Sequence, residues 1–224
     1  MANIQLQDVL IYVNGTSRYN GGAFDTVLVK TTLKTDEPVL DEYYVPSGVT
    51  ASPALLDLLR LQQLEVTPFR ASTLLAGTED IQQEALNGDP AGTLEDAAKL
   101  LLLSLLKKSS LVPVAGSTNL YELSYEYKIF PLTSQGLPNS YELQIRVPFD
   151  GLGMPNGSRV EVSAILPRGA EVDPNATMGK DTNGQEIAEI VYDMPNVSRK
   201  AVTFAYQIDP LFTIRYNHTQ GVQS

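Results

Sequence analysis

Residues 121–129 read Tyr-Glu-Leu-Ser-Tyr-Glu-Tyr-Lys-Ile, and this alternation of apolar and polar side chains is typical of a β-strand. Side chains two positions apart share one face of a strand, so the apolar ones here lie together and the polar ones face water. Further strands, bounded by Gly, Pro or Asn, are predicted at 141–147, 160–166, 187–192, 202–208 and 212–216. Six strands in this span predict an antiparallel β-sandwich over residues 119–217.

We interpret this sandwich as immunoglobulin-like. Antibody domains of that fold pack a Trp against a disulfide that joins the two sheets. The chain contains no Cys and no Trp, which excludes the antibody type. The whole chain is predicted to be mainly β with an α-helical segment, an α+β fold whose carboxyl-terminal part is the sandwich.

Residues 1–118 differ from the rest in their pattern of apolar and polar residues. They are predicted to form a separate mixed β/helical domain that serves docking or assembly. Strands are expected within residues 4–33. There, residues 9–13 read Val-Leu-Ile-Tyr-Val, a continuous apolar run typical of a strand buried on both faces. Helices are expected within residues 52–108, where Ser52 followed by a proline marks a helix start.

The last of these helices is the most apolar part of the chain. Thr93 and Asp96 form a capping box that predicts its start, and Lys107 and Lys108 are expected to close it. A helix that is apolar on nearly every side must be buried, either inside this chain or against another subunit. The residues assigned to a candidate interface on this basis are Leu100, Leu101, Leu102, Leu103, Leu105 and Leu106.

Charge excludes two classes of partner. The 224 residues carry 16 basic and 26 acidic side chains, a formal net charge of −10. A phosphate backbone would be repelled, so nucleic-acid binding is not expected. Anionic membrane surfaces are disfavoured for the same reason.

Targeting segments are not expected either. The first basic residue is Arg18, so the amino terminus lacks the positive region of a signal peptide. The longest apolar run, residues 100–106, is far shorter than the roughly 20 residues of a membrane span. Synthesis in the cytoplasm is the resulting expectation.

Catalytic motifs are missing from the sequence. Without Cys there are no thiolate nucleophiles or ligands, and the single histidine, His218, lies at the start of a segment, 218–224, predicted to be a mobile tail. A mobile tail cannot hold the base of a Ser-His-Asp triad. The glycines at 151, 153 and 157 miss the dinucleotide-binding spacing by one residue. We therefore predict a non-enzymatic protein without a cofactor.

One polar loop is rich in hard oxygen ligands. The weak calcium candidates in it are Asp173, Asn175, Asp181 and Asn183. Met178 stands where an EF-hand loop requires Gly, which excludes that motif. A different calcium loop and a plain turn, in which Asp and Asn bond their own backbone, both remain open.

The organisation of the chain resembles that of structural proteins of tailed-bacteriophage virions, either head accessory and decoration proteins or tail components. The resemblance is carried by the strands Tyr-Glu-Leu-Gln-Ile-Arg-Val (141–147) and Ser-Arg-Val-Glu-Val-Ser-Ala-Ile-Leu (158–166). It implies a virion protein whose amino-terminal part docks on the shell or tube while the sandwich faces outward. The implied partners are copies of itself and other virion proteins, and the sandwich loops would contact a host surface or glycan.

Two alternatives remain open from the sequence. The first is a carbohydrate-binding or adhesion module that uses a loop Tyr such as Tyr192. The second is a carboxylate-dependent glycoside hydrolase, which requires two acidic side chains about 5–9 Å apart in one cleft.

Overall fold

A computed structural model describes residues 2–40, 42–49, 51–61, 67–181, 183–206 and 211–218. Most of the regular structure within these ranges is β. The strands in chain order are β1 (Ile4–Asn14), β2 (Asp25–Thr35), β3 (Glu42–Pro46), β4 (Phe69–Arg70), β5 (Leu106–Ser110), β6 (Val112–Pro113), β7 (Leu120–Ile129), β8 (Ser140–Arg146), β9 (Arg159–Ile165), β10 (Glu171–Val172), β11 (Met178–Lys180), β12 (Glu186–Ile187), β13 (Ile190–Met194), β14 (Arg199–Tyr206) and β15 (Leu211–Asn217).

The described α-helices all lie between β3 and β5. They are α1 (Pro53–Leu61), α2 (Ala71–Leu74), α3 (Ile81–Leu86) and α4 (Pro90–Leu103). None of them combines the length and the hydropathy that crossing a bilayer requires. The predicted fold class, mainly β with a helical segment, is confirmed.

Seven strands form the largest sheet, in the order β13-β14-β9-β1-β2-β7-β6. Every neighbouring pair in it is antiparallel except β1 and β9, which run parallel. Alternate residues of β1 face the core: Val9, Ile11 and Val13 are at most 2% exposed. This period-2 burial gives the sheet one inner face and one outer face.

A second sheet packs over the inner face. It joins β10, β15, β11 and β12, and β8 pairs with β15. Between the two sheets Phe204 of β14 stacks on Phe212 of β15, with ring centroids 4.5 Å apart. Most of the buried apolar side chains form one main core, whose members run from Ile4 to Tyr216 along the chain.

A smaller layer joins the helices to the three-stranded sheet β4-β3-β5. Its own core contains Leu59 of α1, Leu74 of α2 and Leu102 of α4. The side chain of Ser52 accepts a hydrogen bond from the backbone N–H of Leu55 (3.2 Å), as expected at the start of α1.

The predicted boundary between residues 118 and 119 does not separate two cores. β1 and β2 lie between β9 and β7, so the seven-stranded sheet interleaves strands from both predicted domains. The strands of 119–217 therefore do not form a sandwich by themselves. The alternation of apolar and polar residues within one strand does not show which strands are neighbours. The parallel pairing of Leu6–Tyr12 with Arg159–Ile165 joins segments that are far apart in the sequence.

The most apolar helix also differs from its prediction. It begins at Pro90 rather than near Thr93, and the side chain of Asp89 caps it by accepting a hydrogen bond from the backbone N–H of Gly92 (3.1 Å). Proline is favoured in the first turn because its missing N–H has no partner there anyway. The helix ends at Leu103, and Lys107 and Lys108 lie in β5 instead of closing it.

Candidate functional site

A buried polar network ties the carboxyl end of β15 to the turn before β2. The carboxylate of Asp25 accepts hydrogen bonds from the backbone N–H of Ser17 (2.9 Å) and from the hydroxyl of Tyr216 (2.8 Å). His218 lies beside it, with its Nδ1 atom 3.7 Å from the Asp25 carboxylate. On the other side of the ring, the Nε atom of Arg18 donates to Nε2 of His218 (2.6 Å).

The expectation that His218 belongs to a mobile tail is wrong, because its side chain is only 1% exposed. Phe212, Ile214 and Tyr216 are buried at every second position of β15, and His218 continues that period. This alternation was the signal available in the sequence. The rest of the predicted tail, 219–224, lies outside the described residues.

Ser17, Asp25 and His218 are brought together but do not form a catalytic triad. A triad places the acid and the nucleophile on opposite ring nitrogens. Here the Ser17 hydroxyl (3.3 Å) and the Asp25 carboxylate both approach Nδ1, and Arg18 occupies Nε2. All three members of the Ser-His-Asp set are at most 1% exposed, so a substrate has no access.

The charge of Asp25 is stabilised where it is buried. Burial alone raises its pKa, but the nearby His218 ring and the hydrogen bonds from Ser17 and Tyr216 outweigh burial and hold the pKa below its ordinary value. Burial and then the nearby Asp25 charge raise the pKa of Tyr216. The network fastens the chain end to the core. Gly15 is part of that fit, since a Cβ there would lie 2.9 Å from the His218 ring.

A partly open cleft lies between the helical layer and the two large sheets. Its apolar wall includes Leu56, Leu59 and Phe130, and Glu142 and Gln144 line the polar wall. The guanidinium of Arg215 binds Glu142 through both Nε (3.0 Å) and Nη2 (2.6 Å). The Gln144 side chain donates to the other oxygen of Glu142 (3.0 Å). The polar wall is thus internally bonded.

A second group of acidic side chains lies elsewhere, in the helical layer. Glu84 of α3 and Asp96 of α4 each have one buried carboxylate oxygen without a hydrogen-bond partner. Burial, and then the charges of Asp96, Asp89 and Asp80, raise the pKa of Glu84. Asp96 binds Lys99 at 2.9 Å. Neither acid lines the cleft, whose only carboxylate among the described lining residues is Glu142.

The calcium candidates bond their own turns. The Asp173 carboxylate accepts a hydrogen bond from the backbone N–H of Asn175 (3.0 Å). The Asp181 carboxylate likewise accepts from the backbone of Asn183 (2.9 Å) and Gln185 (2.8 Å). In the part of the chain that the structure describes, no three acidic or histidine side chains converge as metal ligands. The calcium prediction gains no support from this geometry.

The outer face of the seven-stranded sheet carries an exposed apolar surface. Register places five side chains in line across β2, β1, β9, β14 and β13. We call this set the outer apolar row: Leu28, Tyr12, Ile165, Ala201 and Tyr192. Its largest members are open to solvent, with exposed fractions of 47% for Leu28, 37% for Tyr12 and 56% for Tyr192.

Leu10 lies two residues before Tyr12 on the same face of β1 and is 46% exposed. The Arg199 guanidinium lies 4.8 Å from the centre of the Tyr12 ring and covers part of it. The prediction that residues 9–13 are buried on both faces is therefore half wrong: one face is in the core and the other is open. The continuous apolar run was the signal for this surface in the sequence.

The leucines of the predicted interface divide between core and surface. Leu102, Leu105 and Leu106 are buried in the core of the helical layer, and Leu103 packs against it. Leu100 and Leu101 are each 41% exposed. Burial inside this chain explains most of the apolar helix, and two of the six side chains remain available to a partner.

The sequence matches no protein-family model and no curated protein.

Proposed function

We propose that this chain is a non-enzymatic structural protein that acts by assembly, as a component of a bacteriophage virion. The outer apolar row is the single observation that carries the assembly part of the proposal. An apolar row that crosses five strands is a costly surface for a protein to leave in water. Contiguous exposed apolar patches on folded proteins mark interaction sites.

The pattern of β1 supports the same conclusion. Its residues 9–13 are apolar at every position, as in strands that are covered on both sides. The second sheet covers one side, and a partner subunit would cover the other. Leu100 and Leu101 of α4 offer a second, smaller apolar contact.

The proposed partners are copies of this chain and other virion proteins. Membership of a virion rests on the resemblance of the strands at 141–147 and 158–166 to those of phage structural proteins. Under this proposal the polar loops face outward, where multivalent display allows weak contacts with a host surface to act together.

Mass measurement in solution tests assembly. Native mass spectrometry and light scattering of the purified 24.4 kDa chain are expected to give an oligomer. Leu28→Lys should weaken it, because the charge would be buried at the contact. Leu86→Lys is the matched control, since Leu86 is 74% exposed on α3, away from the row. A monomer at every concentration would contradict assembly through copies of the chain.

Virion membership is tested on the particle. Peptides of this chain are expected in mass spectra of purified particles from the phage that encodes it, at a fixed ratio to the major capsid protein. Their absence from such particles would contradict the virion proposal while leaving self-assembly standing.

A carbohydrate-binding module is the second candidate, and the cleft favours it over a hydrolase. Aromatic Phe130 beside polar Gln144 is the mixture of surfaces that sugars require. A hydrolase would need two free acids in one cleft, whereas Glu142 is bound to Arg215. Glycan-array binding that Gln144→Ala abolishes would support this candidate.

A further inference from the structure

β13 is an open end of the seven-stranded sheet, where it pairs only with β14 among the described strands. All of its residues but Met194 are exposed, including Ile190 (52%), Val191 (41%) and Tyr192 (56%). An extended edge strand presents a row of unpaired backbone N–H and C=O groups, which another extended strand can satisfy. The chemistry of this edge therefore selects a β-strand as its partner.

The other edges of the described sheets are short, carry proline or lysine, or are covered. β8 pairs only with β15 among the described strands and is seven residues long, but all of its residues except Arg146 are buried or half-buried. At the opposite end of the same sheet, β6 has two residues and one is Pro113. The edge strand β5 carries Lys107 and Lys108, both exposed. β4, β10 and β12 are two residues long. Short length, proline and lysine are the usual devices against edge pairing. β13 is five residues long and contains neither proline nor lysine.

The sequence of β13 is compatible with pairing to itself. In an antiparallel arrangement about a two-fold axis at Tyr192, Ile190 lies opposite Met194 and Val191 lies opposite Asp193 of the second copy. No like charges are then directly opposed, which matters because such pairs are destabilising. Asp193 is bound by Lys200 of its own chain at 2.8 Å, which compensates its charge in a protein of net charge −10.

This register also extends the outer apolar row. Residues directly opposite in an antiparallel pair point to the same side of the sheet. The two Tyr192 side chains would therefore meet on the outer face, and the rows of the two copies would join into one that crosses ten strands. A single contact between two copies would therefore double the length of the outer apolar row, the surface that carries the proposed function.

We infer that two copies of this chain join through antiparallel pairing of their β13 strands about a two-fold axis near Tyr192, forming a continuous fourteen-stranded sheet. The inference rests on the proposed function, because it specifies how the copies assemble. A C2 contact of this kind is closed, so the product is a dimer, to which further copies and other virion proteins then bind through the lengthened row.

The chain has no cysteine, so single cysteines report on the contact without background. Opposed residues in antiparallel strands have Cα atoms about 4.5–5.5 Å apart, within disulfide range. Tyr192→Cys should form a disulfide-linked dimer under mild oxidation. Ile190→Cys, opposite position 194, and Tyr19→Cys, at a tyrosine 82% exposed elsewhere, should not. Absence of the Tyr192→Cys dimer, or preferential linkage at position 190, overturns the inference.

A dissociation measurement separates this inference from the proposed function. Tyr192→Lys should weaken self-association by roughly tenfold, because two lysines would face each other across the axis. Tyr19→Lys should leave it unchanged, and circular dichroism checks that both variants fold. An oligomeric wild type in which Tyr192→Cys does not cross-link and Tyr192→Lys does not weaken association, but Leu28→Lys does, overturns edge pairing alone. A wild type that is monomeric at every concentration overturns both edge pairing and assembly through copies.

Discussion

The two faces of the seven-stranded sheet are built from the same strands but have opposite environments. On the inner face of β1, Ile11 is 1% exposed and packs in the main core. On the outer face, its neighbour Leu10 is 46% exposed. Both side chains are large aliphatics, so composition does not distinguish the faces. This chain therefore carries apolar surface beyond what its own core uses.

The largest expected effect comes from truncating the same kind of side chain on each face. Ile11→Ala removes buried methyl groups and leaves a cavity, so it should lower the free energy of unfolding by about 2–5 kcal/mol. Leu10→Ala should change it by less than about 1 kcal/mol, because the side chain is half exposed. Urea unfolding of the monomeric state measures both. Equal losses for the two variants would show that the outer face is covered within the chain.

A smaller effect is expected at Asp25, a buried carboxylate on the core side of β2. Asp25→Asn should cost about 1–3 kcal/mol at pH 7, since the charged hydrogen bonds from Tyr216 and Ser17 and the contact with His218 are weakened. Because the folded pKa of Asp25 lies below its unfolded value of about 3.9, its contribution is fully present above that pH and is lost as pH falls through the folded pKa.

Unfolding curves from pH 7 to pH 2 measure this dependence. The difference in stability between the wild type and Asp25→Asn should shrink below pH 4, and Asp8→Asn, on the exposed face of β1, provides the control. A difference that stays constant down to pH 2 would show that the carboxylate charge does not stabilise the network.

The smallest effect is expected on the outer face. Lys30 of β2 and Glu122 of β7 form an ion pair at 3.2 Å, with side chains 51% and 44% exposed. Such surface pairs contribute about 0–1 kcal/mol. A double-mutant cycle with Lys30→Ala and Glu122→Ala should give a coupling below about 0.5 kcal/mol that decreases with added salt. A larger, salt-resistant coupling would mean that a partner covers this face in solution.

The positions of the strands in the sequence were the most predictable part of the fold. Which strands pair with one another was the least predictable. Alternation in residues 121–129 and 141–147 is local, and both stretches are strands. The parallel pairing of β1 with β9 depends on packing between distant segments, so a per-residue pattern does not contain it. The same holds for β10, whose two residues are too few to show a period.

The candidate surface was predictable in part. The apolar run at residues 9–13 signalled a strand that needs cover on both sides, but which face lacks it depends on the position of the second sheet. The network at Asp25 joins residues about two hundred positions apart, so only the buried period of β15 pointed to His218. The sequence offers Tyr192 as a glycan contact, and the register adds that it lies on the edge strand β13.

The central position of β1 has a consequence for how the polypeptide is made. One side of this strand can pair with β2 once residue 35 has left the ribosome, but its other side pairs with β9, which begins at Arg159. Until β9 has been synthesised, β1, which ends up as the central strand of the sheet, is an edge strand. Loop closure over that distance is slow relative to local pairing, and a truncated gene product ending near residue 118 would keep this border permanently.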